Sequence, residues 1–90
     1  MGLFGKKKVK VDLDQVFKDK YKDINQTVRD ANNEIDLDIQ ISLLELAYDK
    51  YNDLFELIDQ GVDYDKEHFK TLQADLKKQI RLLKGLSNED

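Results

Sequence analysis

Cysteine and proline are both absent from this chain. Without cysteine there is no disulfide framework and no thiolate metal site. Without proline, no helix is broken from within by a residue that lacks an N–H. Glycine occurs only at positions 2, 5, 61 and 85, so no cluster of glycines can cradle a phosphate. The hydroxyl and imidazole inventory is equally thin: Ser42, Ser87, Thr27, Thr71 and the single histidine His68. No triad can be assembled from so few groups, and the sequence predicts a protein without catalysis, cofactor or small-molecule substrate. Long apolar runs are missing as well. The longest uncharged stretches, such as Ile39 to Leu44, fall far short of the roughly 20 apolar residues of a bilayer span. With no secretory signal and no cysteine, the expected compartment is the cytoplasm.

What the chain has in abundance is charge. Asp, Glu, Lys and Arg make up 38% of its 90 residues, interleaved with Leu, Ile and Tyr, for a net charge of −4. That balance favours solvated amphipathic helices in one small domain. Three Asp-x-Asp tripeptides stand out: Asp12-Leu13-Asp14, Asp36-Leu37-Asp38 and Asp63-Tyr64-Asp65. Each precedes a segment whose apolar residues recur with helical spacing. Aspartate at a helix start accepts from otherwise unpaired N–H groups and sets negative charge against the positive end of the dipole. The tripeptides therefore predict three helix starts.

The first helix is predicted from Leu13, Phe17, Tyr21, Ile24, Val28, Ala31 and Ile35, which keep to one stripe. It should close near Asn32-Asn33 through the left-handed conformation that Asn tolerates. Between Glu34 and Ile41 the residues alternate as in a strand, but no other segment offers such a strand a partner. The second helix is accordingly expected from Asp38 to about Gln60, with Ile35 and Leu37 plugging the corner before it and Gly61 closing it. Its apolar positions cover an arc of roughly 200°, wider than on either neighbour, which suits a helix packed on two sides. The third helix begins at Asp63 or Asp65 and rests on Phe69, Leu72, Leu76, Ile80 and Leu83. If Asp65 is the cap, Tyr64 and Phe69 are spaced as a hydrophobic staple. Gly85 is expected to end it.

Short connections favour antiparallel neighbours, so the predicted fold is all-α: an antiparallel up-down-up three-helix bundle, thin enough for two copies to self-associate. Residues 12–86 form the bundle, residues 1–11 a flexible basic tail and residues 87–90 a polar C-terminal tail. Calcium binding by Asp63, Asp65 and Glu67 is set aside, because His68 occupies the turn-glycine position of a calcium loop and Ala74 its last ligand position. No metal site is expected.

Two charged surfaces are candidates for partners. On the second helix Glu45, Asp49, Asp53 and Glu56 fall within about 80° of one another, opposite the apolar arc. With Tyr48 at the arc's edge, they compose an expected protein-binding face for another protein or a second copy. Tyr51 and Phe55 are expected in the core or at its boundary. Cations collect elsewhere: Lys6, Lys7, Lys8 and Lys10 in the tail, and Lys70, Lys77, Arg81 and Lys84 along one side of the third helix. They offer an alternative reading, an accessory or regulatory protein contacting nucleic acid or an anionic membrane surface. The simplest role for the third-helix cations is pairing with acids on the neighbouring helices. Leu82 and Leu86 lie off the third helix's stripe and could extend an apolar contact surface.

Overall fold

The computed structural model describes residues 12–87, and the predicted tail with Lys6, Lys7, Lys8 and Lys10 lies outside the described residues, as do residues 88–90. Three helices account for the fold: α1 (Leu13–Asn32), α2 (Leu37–Asp59) and α3 (Lys66–Ser87). Among the described residues there is no strand. The alternation around Ile35 to Ile41 therefore yields to the helical period.

Aspartate opens all three helices. The Asp12 side chain accepts from the Gln15 N–H at 3.2 Å, and Asp36 accepts from the N–H groups of Asp38 and Ile39 at 2.9 and 3.2 Å. In the third tripeptide the second carboxylate does this work: Asp65 accepts from Glu67 at 3.0 Å and His68 at 3.4 Å. Tyr64 and Phe69 then meet as the staple, with ring centroids 6.2 Å apart. Because Asp36 is the cap, α2 starts at Leu37, one residue earlier than the sequence suggested. Leu37 is half-buried, but Ile35, one residue ahead of the cap, is 97% exposed and plugs nothing.

The helix ends also differ in detail. Asn33 closes α1 at φ −92°, in the right-handed region, with its N–H shared between the carbonyls of Arg29 and Ala31. Gly61 follows α2 at φ +116°, a conformation that glycine adopts without a Cβ penalty. Gly85 does not end α3, which continues to Ser87. Gly85 takes no left-handed conformation, and Leu86 and Ser87 continue the helix beyond it.

Packing centres on α2. Of the thirteen buried apolar residues among those described, six lie on it: Ile41, Leu44, Ala47, Tyr51, Leu54 and Leu57. They face Phe17, Ile24 and Ala31 of α1 on one side and Phe69, Leu76 and Ile80 of α3 on the other. Each fully buried large apolar side chain contributes roughly 1.5–3 kcal/mol before conformational entropy is subtracted. Among the described residues, α1 and α3 bring no pair of Cα atoms within 8 Å of each other. They meet through rings at one end, where Phe17 stacks on Tyr64 at 4.2 Å and both Phe17 and Tyr21 present edges to Phe69 at 5.2 and 5.3 Å.

Polar contacts fix the register. Lys50 reaches from α2 to the Asp23 carboxylate at 2.6 Å and to the Thr27 hydroxyl at 3.2 Å, while that hydroxyl donates to the Asp23 carbonyl. Lys20 approaches Asp53 at 3.6 Å. Between α2 and α3, Lys66 pairs with Asp59, the Gln73 amide donates to the Tyr48 carbonyl and to Asn52, and Lys84 pairs with Glu45. In both sets residue numbers rise along one helix as they fall along the other.

Candidate functional site on the outward face of α2

The face of α2 turned away from its core carries the predicted acidic residues, and the two outer helices reach in from its edges. Glu45 pairs with Lys84 of α3 at 2.7 Å, each side chain about half exposed (46% and 53%). At the opposite edge Asp53 is approached by Lys20 of α1. Asp49 lies between these pairs, Glu56 lies beyond Asp53, and both are exposed. Among the described residues neither enters an ion pair within 4 Å. Exposed pairs of this kind stabilise by about 0–1 kcal/mol, so they partly neutralise the face without locking it.

Where α2 and α3 diverge at the surface, they leave an open groove of about 510 Å³ lined by Glu45, Tyr48, Asp49, Lys77, Ile80, Arg81 and Lys84. Ile80 is buried and Tyr48 is half-buried. The Lys77 ammonium sits 5.5 Å from the Tyr48 ring centroid, a cation–π arrangement. The Tyr48 carbonyl takes the Gln73 amide, which holds the two helices together where the groove begins.

Two surfaces that the sequence separates are thus one surface. Glu45, Tyr48 and Asp49 of the expected protein-binding face share the groove with Lys77, Arg81 and Lys84 of the expected anion-binding stripe. Asp53 and Glu56 remain on the outward face beyond it. Lys70 pairs along its own helix with Glu67 at 3.8 Å. Tyr51 is buried and Phe55 half-buried, as their positions on the arc implied. Lys20 and Gln73 are contact residues that the sequence reading passed over. Lys20 stands at i−3 from Asp23, the acid that holds Lys50, and that shared flank of α1 was the available signal.

The histidine and the two described threonines lie outside the groove. His68 is edge-on to Phe69 at 5.0 Å. The Thr27 and Thr71 hydroxyls donate to carbonyls one turn back on their own helices. Among the described residues no group of three or more His, Asp or Glu side chains is placed to hold a metal ion, and no helix is long and apolar enough to cross a membrane. Perturbed titrations occur elsewhere. Burial pushes the Tyr51 phenol up to about 12. Tyr64 is raised by desolvation and by its hydrogen bond with Asp14, and Lys18 is raised chiefly by its hydrogen bond with the same carboxylate. None of the three lines the groove.

Compared with protein families, with characterised proteins and with solved structures, the chain matches none.

Proposed function

We propose that this is a non-catalytic interaction or assembly module of the cytoplasm, its helices arranged up-down-up, which docks another protein along the outward face of α2 and the adjoining α2–α3 groove. The observation that carries the reading is the groove itself. A half-buried aromatic, an apolar floor at Ile80 and charges of both signs lie together in one open furrow. Aromatic anchors ringed by charge suit protein recognition, in which the ring supplies buried area and the charges supply orientation. Asp49 and Glu56, flanked by like charges, favour a partner segment that brings cations.

The alternative, contact with nucleic acid or an anionic membrane, draws less support from α3. Three of the four stripe cations Lys70, Lys77, Arg81 and Lys84 already have neighbours of their own: Lys70 with Glu67, Lys77 with the Tyr48 ring and Lys84 with Glu45. A pull-down from the native host tests the reading. Partners recovered by the native chain should be lost when Glu45, Asp49 and Asp53 are all changed to Lys, with helicity retained by circular dichroism. Unchanged recovery by the charge-reversed chain would refute it.

A further inference from the structure

A second seam runs along the flank of α3, away from the groove. His68, Leu72, Asp75, Gln79, Leu82 and Leu86 step by four, three, four, three and four, the heptad period that keeps residues on one line of a helix packed against another. Of the leucines on this line, the bundle packs only Leu72 against its core, and packs it partly. Leu82 and Leu86 are 72% and 60% exposed, His68 and Asp75 are exposed, and Leu72 and Gln79 are half-buried. Two large leucines standing in water on consecutive turns have no role in the core described above.

The seam is complementary to itself when reversed. Laid antiparallel about a twofold axis near residue 77, Leu72 comes opposite Leu82 of the second copy, His68 opposite Leu86, and Asp75 opposite Gln79. Each pair occurs twice, as an isologous contact demands. Apolar meets apolar in the layers on either side of the axis, and a carboxylate meets an amide donor in the layers next to it. Lys78 stands one residue from the line and within reach of Asp75 of the second copy, so two lysines are matched by two carboxylates. Among the described residues neither Asp75 nor Lys78 is engaged in an ion pair within its own chain. A parallel arrangement would set Asp75 against Asp75 and is disfavoured by that repulsion.

We infer that the protein forms a twofold dimer in which α3 packs antiparallel on α3 of a second copy through Leu72, Leu82 and Leu86, with Asp75, Lys78 and Gln79 at the centre setting direction and register. The inference names one partner for the assembly module proposed above, but it uses a surface separate from the α2 face, so the two stand or fall independently.

Sedimentation velocity over a range of concentrations reads the dimer directly. The native chain should shift from one to two chain masses as concentration rises. Leu82→Asp should weaken the dimer at least about 100-fold, because two buried leucine contacts are lost per dimer. Leu82 is exposed, so the helical signal and melting of the monomer should be unchanged. Lys78→Asp should weaken association and Asp75→Lys combined with Lys78→Asp should restore it. Direction is read by disulfide trapping, which has no background in a chain without cysteine. A mixture of Asp75→Cys and Gln79→Cys chains should cross-link as a heterodimer on oxidation, faster than either variant with itself. A single chain mass at all concentrations up to about 1 mM, or a dimer that survives Leu82→Asp, would overturn the inference. Cross-linking of Asp75→Cys chiefly to itself would overturn the antiparallel register. A chain that stays monomeric yet still recovers its partner in the pull-down would remove the dimer and leave the α2 reading intact.

Discussion

Raising the pH should weaken this protein in part through a single oxygen atom. Tyr51 lies on the core face of α2 and is 4% exposed, and burial holds its phenol at about 12 against an ordinary value of 10. The folded state therefore disfavours tyrosinate relative to the unfolded chain. A group raised on folding contributes its stability in full below the unfolded value and loses it as pH climbs through the folded one, so the window is pH 10 to about 12. Two units at about 1.36 kcal/mol each set an upper bound of about 2.7 kcal/mol, reduced to the extent that water reaches the hydroxyl. Tyr51→Phe keeps the ring and removes the ionisation. Urea unfolding at pH 7 and again near pH 11, followed by circular dichroism, measures the loss, and tyrosinate absorbance follows the ionisation itself. The native chain should lose stability across the window and show a tyrosine ionising well above 10, and Tyr51→Phe should lack that step and lose less stability. Tyr64 is also raised, so the difference between the two titrations is what isolates Tyr51. Ionisation of Tyr51 near pH 10 with the helical signal intact would refute the reasoning, because it would mean that the core does not exclude the charge.

Leu54 is fully buried on the core face of α2, and Leu54→Ala should cost about 2–5 kcal/mol in denaturant unfolding, a large share of what a domain of this size possesses. The two described glycines should respond in opposite senses, although neither has an atom within 4 Å of where a Cβ would sit. Gly61→Ala should destabilise by about 1 kcal/mol or more, since φ +116° is hostile to a side chain, whereas Gly85→Ala, inside α3, should stabilise by about 0.5 kcal/mol in thermal or urea melts.

Much of the fold could be read from the chain because helix starts are local chemistry. A carboxylate two or three residues ahead of an N–H can reach it whatever the rest of the molecule does, so Asp12, Asp36 and Asp65 announced their helices. Between Asp63 and Asp65 the sequence left the choice open; the staple spacing of Tyr64 and Phe69 fits Asp65, and the hydrogen bonds from Glu67 and His68 to its carboxylate decide it. Ile35 misled because it continued the first helix's stripe and also began an alternating run, and neither pattern records that a cap one residue later turns it into solvent. Gly85 misled because glycine is common after a helix, a tendency that only a following turn makes binding. The groove was legible in halves. The acidic line on α2 and the basic line on α3 follow from period alone, but their meeting depends on the rotation of one helix about its axis relative to the other, which no single-helix pattern contains.

The ring cluster of Phe17, Tyr21, Tyr64 and Phe69 is where α1 and α3 touch most directly, and their backbones otherwise keep apart across α2. The molecule is therefore a clasp pinned at one tip. Strain applied to either outer rod is relayed to the other through four aromatic faces or through the spine, and a solvent-exposed opening will start at the unpinned tip, where Ile35 and Leu86 already stand in water.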